Sequence, residues 1–156
     1  MIPPRVLVVD DEAIMVTLLE TYLKRLGCAV STAADGAKAI RLLEERAFDL
    51  VITDLQMEET NGLDVVRKAK ELSPKTLAFI MTGCNEVEYA IAAFRIGADD
   101  YLLKPLNLGL LMERLLKRGF SFNRTGQLHS QAGGRNTFSR CQKSLQSGKA
   151  LLYSCT

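Results

Sequence analysis

An α/β fold with an open parallel sheet is predicted for this chain of 156 residues, and two observations predict it. Up to about residue 118, short apolar runs alternate with longer stretches of helical period, which is typical of buried strands between amphipathic helices. Glycine, aspartate and proline residues mark several of the boundaries between them. Right-handed crossovers between such units favour five parallel strands in the order 2-1-3-4-5, the flavodoxin-like arrangement.

The first part of the chain contains three predicted strands separated by two helices. RVLVV is a buried strand, and the helix that follows, in EAIMVTLLETYLKRLG, ends at Gly27, a typical C-terminal cap. AVSTA is the second strand, and Asp35 is the expected N-cap of the helix in DGAKAIRLLEER. FDLVITD is the third strand and ends in the carboxylate of Asp54. One apolar stripe is expected on the first helix, made of Ile14, Leu18, Leu19, Tyr22, Leu23 and Leu26.

Two further strands complete the predicted sheet. LDVVRKAKEL is a helix, Pro74 marks the turn after it, and TLAFIMT is a strand that ends on Thr82. EVEYAIAAFRIG is a helix closed by Gly97, and DYLLK is a strand that ends on Lys104. The helix in LGLLMERLLKR completes five alternating pairs.

The chain changes character near Gly119. All 18 acidic residues precede this position, and residues 1–119 have a formal net charge of −3, whereas residues 120–156 have a net charge of +5. The second segment is rich in Ser, Gly, Gln and Asn and has no sustained period. We therefore expect residues 1–119 to form one domain and residues 120–156 to be a basic, polar and mobile C-terminal tail.

Composition argues against several classes of protein. Four cysteines are scattered without a CxxC pair, which argues against zinc and favours reduced thiols. No apolar run approaches the roughly eighteen residues needed to cross a bilayer. The N-terminus lacks the basic, apolar and small-residue order of a signal peptide, so we expect the protein in the cytoplasm.

Charged side chains recur where the predicted strands end. Asp10 and Asp11 follow the first strand, with Glu12 next to them, and Asp54 ends the third strand. Thr82 and Lys104 end the fourth and fifth strands, so all of these side chains should lie on one rim of the sheet. Neighbouring carboxylates repel one another and need a positive partner. An oxygen-rich rim of this kind suits Mg²⁺, which takes carboxylate and phosphate ligands.

Five motifs in order are similar to the receiver domain of two-component response regulators. They are VVDDE, ITDLQM, a loop that ends in Gly62, MTG and GADDYLLKP. Each motif is common on its own, but together they match the family over residues 5–118. The resemblance implies a signalling module that is not an enzyme.

The resemblance implies a phosphoacceptor and a metal site. Asp54 would attack the phosphorus of a phosphohistidine on a partner kinase or phosphotransfer protein. Asp11, Asp54 and the backbone carbonyl of Gln56 would bind Mg²⁺, and Asp10 would act mostly through bound water. A carboxylate nucleophile, Mg²⁺ and one cation are sufficient for phosphoryl transfer.

The resemblance also implies the residues that respond to phosphorylation. Lys104 would pair with Asp54 and then with the phosphoryl oxygens, and its bond to Pro105 would be cis. Thr82, with Gly83 beside it, would turn toward the phosphoryl group, and Tyr101 would turn inward. The change would spread over residues 86–118, the fourth helix, fifth strand and fifth helix, and alter dimerisation or partner binding.

The sequence departs from the usual family pattern after the phosphoacceptor. Met57 is followed by Glu58 instead of the common proline, and Glu59 adds further negative charge near the site. Gln56 and Cys84 occupy positions where the family varies, and the resemblance implies that they would tune the rate at which water removes the phosphoryl group.

Two other functions stay open at this point. A Mg²⁺-dependent phosphohydrolase would also use an aspartyl nucleophile, but the place of its second carboxylate, two residues later, holds Gln56. A DNA-binding transcriptional regulator would have its output region truncated or reduced to the basic tail.

Overall fold

Ten elements alternate strand and helix along the residues that the computed structural model describes, 2–83 and 87–122. The strands are β1 (Arg5–Val9), β2 (Ala29–Ala33), β3 (Leu50–Asp54), β4 (Leu77–Thr82) and β5 (Asp100–Leu103). The helices are α1 (Ala13–Arg25), α2 (Gly36–Glu45), α3 (Gly62–Leu72), α4 (Val87–Arg95) and α5 (Leu108–Lys117). Within these described ranges, no helix has the length and apolar character required to cross a membrane. The tail predicted from residue 120 lies, from residue 123 on, outside the described residues.

All five strands form one parallel sheet in the order β2-β1-β3-β4-β5, which confirms the predicted topology. The order reverses between β1 and β3, which pair with each other although β1 is followed by β2 in sequence. Because the strands are parallel, all their carboxyl ends lie along the same edge of the sheet. This edge is the place where ligands bind in open α/β sheets.

The sheet has helices on both faces, because successive strand residues point to opposite sides. α1 and α5 pack on one face, and α2, α3 and α4 pack on the other. The core of the first face contains Val6, Val8, Leu19, Leu23, Leu50, Ile52, Phe79, Leu111 and Leu115. The core of the second face contains Leu7, Val9, Ala39, Leu43, Val51, Val65, Ile80 and Ala93.

The apolar stripe predicted on α1 was too wide. Leu19 and Leu23 are fully buried, but Ile14 is 86% exposed and Leu18 is 41% exposed. Met15 packs against the core instead. Adjacent residues on a helix are separated by about 100° of rotation, so a side chain one position before a buried one points well away from the sheet.

The fold continues past the domain boundary that the sequence suggested. Gly119 has φ 78°, a left-handed conformation that suits glycine, and the N–H of Phe120 donates to the carbonyl of Leu115 across this helix end. Phe120 is only 8% exposed, and its ring lies 5.1 Å from that of Phe122. The boundary at residue 119 is therefore too early, because these aromatic rings add to the core beneath α1 and α5.

Cys28 is a free, buried thiol that follows the predicted cap Gly27, which has φ 83°. Burial, with a smaller effect of the negative charge of Asp49, raises the pKa of this thiol to about 11. The thiol is therefore protonated at neutral pH and a poor nucleophile, which suits a structural role. The remaining cysteines, Cys84, Cys141 and Cys155, lie outside the described residues.

Candidate functional site

Backbone hydrogen bonds between neighbouring strands fix the residues at the carboxyl edge of the sheet. The N–H of Asp10 donates to the carbonyl of Ala33 over 3.2 Å, and the N–H of Lys104 donates to that of Thr82 over 2.8 Å. Asp54 is the last residue of β3 and pairs in register with Met81 of β4. The ends of β1, β3 and β5 thus bring Asp10, Asp54 and Lys104 to one place, as the sequence predicted.

Four carboxylates meet at this edge. One oxygen from each of Asp10, Asp11, Glu12 and Asp54 lies within 4.8 Å of the others. Asp10 and Asp54 are buried, whereas Asp11 and Glu12 are exposed. Burial raises the pKa of Asp10, and burial together with the negative charge of Asp10 raises the pKa of Asp54. Both shifts have the direction expected when negative charge is held away from water, which costs free energy.

Lys104 is the cation of the site. Its Nζ lies 2.9 Å from an oxygen of Asp10, 2.9 Å from one of Glu12 and 3.5 Å from one of Asp54. Burial alone would lower the pKa of this ammonium group, but its hydrogen bonds to Asp10 and Glu12 outweigh that effect and raise the pKa. Lys104 is therefore charged at neutral pH. The contact with Glu12 was not predicted, although the third acid of VVDDE was a visible signal for it.

The donor set fits a divalent cation. Asp10 Oδ1 accepts the N–H of Glu12 over 2.9 Å. Asp10 Oδ2 is buried and, among the described residues, has no hydrogen bond of good geometry, although Lys104 Nζ is at ion-pair distance. One ammonium cannot neutralise four carboxylates. Carboxylate oxygens with surplus negative charge are the ligands that Mg²⁺ takes, so these residues fit the metal that the sequence predicted.

Gly62 allows α3 to begin directly against the end of β3. Its N–H donates to the carbonyl of Leu55 over 2.9 Å. A Cβ at this position would overlap the backbone carbonyl oxygen of Asp54 and approach Leu55 Cα to 3.0 Å. Glycine is thus required by close backbone approach, which explains why it ends the loop after ITDLQM.

The predicted switch residues lie on β4, which pairs with β3 beside Asp54, and on β5, which pairs with β4. Thr82 ends β4 and is 1% exposed, and Gly83 follows it at the surface. Tyr101 is paired in register with Ile80 and packs partly buried against the core next to α4. The peptide bond between Lys104 and Pro105 is cis, as the resemblance implied.

The loop after β3 holds the residues that depart from the family pattern. Gln56, Glu58 and Glu59 are exposed, and Met57 packs partly buried against the core beside α2 and α3. Within the described residues, Glu58 and Glu59 are not members of the carboxylate cluster. Their negative charge is therefore added at the surface of the loop.

This fold and site define the class of protein: the chain belongs to the response regulator receiver domain family, which matches residues 6–116. Among individual proteins, it is 39% identical over 112 residues to the transcriptional regulatory protein ZraR of Salmonella typhimurium, covering 72% of this chain. It is 36% identical over 112 residues to the transcriptional regulatory protein PrrA of Mycobacterium tuberculosis, again covering 72% of this chain.

Solved structures agree with this assignment. A CheY-like receiver domain protein from Methanospirillum hungatei JF-1 superposes with a TM-score of 0.69 at 26% identity, covering 76% of this chain and 98% of that one. The curated relatives are longer, since the matched region is 25% of ZraR and 48% of PrrA. The likeness therefore concerns the receiver domain of those proteins.

Proposed function

We propose that this receiver accepts a phosphoryl group on Asp54 from a phosphohistidine of a sensor histidine kinase or phosphotransfer protein. The observation that carries the proposal is the position of this carboxylate. Asp54 stands at a strand end, within 4.8 Å of three further carboxylates that suit Mg²⁺ and 3.5 Å from the ammonium of Lys104. A nucleophile, a metal site and a cation thus surround one point at the edge of the sheet.

The reaction requires little covalent chemistry from the protein. An oxygen of Asp54 attacks phosphorus, the bond from phosphorus to the imidazole nitrogen breaks, and that nitrogen keeps the electron pair. Mg²⁺, when bound, neutralises negative charge on the phosphoryl oxygens, and Asp10, Asp11, Asp54 and the Gln56 carbonyl would hold it. Lys104 would stabilise the same oxygens. Later attack by water on phosphorus releases inorganic phosphate and restores the carboxylate, which ends the signal.

Phosphorylation would then change the surface formed by α4, β5 and α5. Thr82 and Tyr101 lie between the site and this surface, on adjacent strands. The surface carries apolar side chains that no described residue covers, since Val87 is 70% exposed, Phe94 is 51% exposed and Leu103 is 47% exposed. New charge-assisted contacts to phosphate can invert two states that differ by a few kcal/mol. Dimerisation or partner binding through this face is the proposed output.

A phosphorylation assay tests the role of Asp54. We expect acetyl phosphate with Mg²⁺ to add one phosphoryl group to the full chain, seen by intact mass spectrometry, and chelation or the D54N variant to abolish it. D49N is the matched control, because Asp49 is exposed and precedes β3 at the opposite edge of the sheet. Phosphorylation of D54N would refute the assignment, and multiple-turnover hydrolysis of small phosphate esters would favour the phosphohydrolase.

The names of the curated relatives support a second proposal, about output. ZraR and PrrA are described as transcriptional regulatory proteins. Residues 120–156 carry five basic and no acidic residues, a composition suited to an electrostatic contact with DNA. We expect the full chain to bind duplex DNA with a steep salt dependence and a chain ending at residue 122 to lose this affinity. Equal affinity of both chains would contradict a role for the tail.

A further inference from the structure

Lys104 lies closer to Glu12 than to Asp54, although its proposed role is to bind a phosphoryl group on Asp54. Its Nζ donates a hydrogen bond of 2.9 Å to Glu12 Oε1, whereas the nearest oxygen of Asp54 is 3.5 Å away. Each ångström of extra distance weakens both the hydrogen bond and the Coulomb attraction. The ammonium is therefore drawn toward the start of α1 and away from the phosphoacceptor.

The two close partners of Lys104 differ in how easily they can release it. The Asp10 side chain is fully buried, and one of its oxygens accepts the N–H of Glu12, so Asp10 is fixed in place. The Glu12 side chain is 62% exposed. Although Glu12 is the N-cap residue of α1, its carboxylate accepts no backbone N–H at the start of that helix. When it loses the ammonium, its carboxylate can be hydrated, whereas that of Asp10 cannot. Glu12 is thus the releasable partner.

We propose that Glu12 is a positioning residue that competes with the phosphoryl group for Lys104. This inference rests on the proposed function of Asp54. A phosphoryl group bonded to Asp54 adds anionic oxygens beside the ammonium, and Lys104 must give up Glu12 to reach them fully. The contact with Glu12 therefore stabilises the unphosphorylated state and lowers the affinity of the site for a phosphoryl group. Glu12 acts through Lys104, without itself touching the reacting atoms.

Beryllofluoride, an analogue of the phosphoryl group, measures this competition directly. We expect the E12Q variant of the full chain, saturated with Mg²⁺, to bind beryllofluoride about two- to fivefold more tightly than the wild type, the range for a partly exposed ion pair. The Lys104 Nζ resonance should also shift in E12Q before beryllofluoride is added, because its hydrogen bond to the carboxylate is lost. A substitution that left the contacts of Lys104 unaltered would not move that resonance.

Two controls separate this mechanism from others. E58Q removes the same charge from an exposed position outside the carboxylate cluster, and it should leave beryllofluoride affinity unchanged. In a K104M background, E12Q should have no effect on affinity, because the residue for which Glu12 competes is absent. An equal gain in that background would mean that Glu12 acts only through its charge, and would overturn the proposal.

The remaining outcomes are equally decisive. If E12Q weakens Mg²⁺ binding, measured by calorimetry without beryllofluoride, and does not strengthen beryllofluoride binding, then Glu12 is a metal ligand and the proposal is wrong. If E12Q leaves both affinities unchanged, the proposal is also wrong. If the wild type itself binds no beryllofluoride with Mg²⁺ present, the proposed function of Asp54 fails first.

Discussion

The charged carboxylate of Asp54 is expected to lower the stability of the folded protein. Burial and the neighbouring charge of Asp10 raise its pKa, so the folded state holds a proton on this group more tightly than the unfolded chain does. Stability from such a group is present at low pH and is lost as the pH rises through the folded pKa. Above the folded pKa the carboxylate is charged, and its burial then lowers the stability of the folded state.

The D54N variant is therefore expected to be more stable than the wild type at pH 7 without Mg²⁺. The gain should be on the order of 1 kcal/mol, a common size for removing one unfavourable buried charge. It should shrink as the pH falls toward about 4, the ordinary pKa of an aspartate, because the wild-type carboxylate then becomes neutral. Urea unfolding in EDTA at several pH values measures this difference.

Charge removal elsewhere provides the control for this prediction. Glu59 is exposed in the loop after β3 and outside the carboxylate cluster, so E59Q should leave stability within about 0.5 kcal/mol of the wild type. A stability of D54N that is below that of the wild type at neutral pH would show that the contact with Lys104 outweighs the cost of burial.

At the scale of elements, the end of α5 shows how a helix terminus extends a domain. The N–H groups of Gly119 and Phe120 donate to the carbonyls of Leu116 and Leu115, each over 3.0 Å, which satisfies the last turn. The turn at Gly119 directs Phe120 back onto the core shared by α1 and α5. A terminal aromatic residue thus becomes part of the packing that supports both helices.

F120A should lower the free energy of unfolding by about 3 kcal/mol, the scale for truncating a buried phenylalanine. The reason is that Phe120 is 8% exposed, so its removal leaves a cavity beneath the two helices. Chemical denaturation of the full chain measures the loss. F94A is the matched control, because Phe94 is 51% exposed and should contribute much less to stability. Equal losses in the two variants would contradict the packing of Phe120.

At the scale of the whole molecule, the site and the proposed output surface are joined by the edge of one sheet. Thr82 and Leu103 are paired in register at the ends of β4 and β5, and Lys104 follows directly. A movement of either strand end would therefore act on α4 and α5, which flank β5 in the chain. α4 makes few contacts with the buried core, since Ala93 is its only fully buried residue among those described.

Beryllofluoride with Mg²⁺ should change amide hydrogen exchange in residues 87–118 and leave β2 and α2 unchanged. The reason is that the site borders β4 and β5, whereas β2 lies at the far edge of the sheet. Exchange measured by mass spectrometry across the described residues gives the result. D54N is the control and should show no response. A response spread over the whole sheet would contradict a localised switch.

Sequence patterns predicted most of this architecture because they are local. Short apolar runs and helical apolar patterns predicted the ten elements. The caps at Asp35, Gly27 and Gly97 were each found in place, since Asp35 accepts the N–H of Lys38 and both glycines have positive φ. Parallel strands with right-handed crossovers leave few topologies, so the common rim followed from the order of elements. The wide stripe predicted on α1 failed because periodicity does not show how much of a helix touches the sheet.

The sequence by itself determined the elements, their order and the meeting of Asp10, Asp54 and Lys104 at one edge. Only the tertiary structure decided how Lys104 divides its contacts among Asp10, Glu12 and Asp54, because distances between side chains from different strands depend on packing. It also decided that Phe120 belongs to the core. A single aromatic residue after a glycine forms no repeating apolar pattern from which its burial could be predicted. Local physics specifies elements, whereas contacts between residues far apart in the chain exist only once the sheet is assembled.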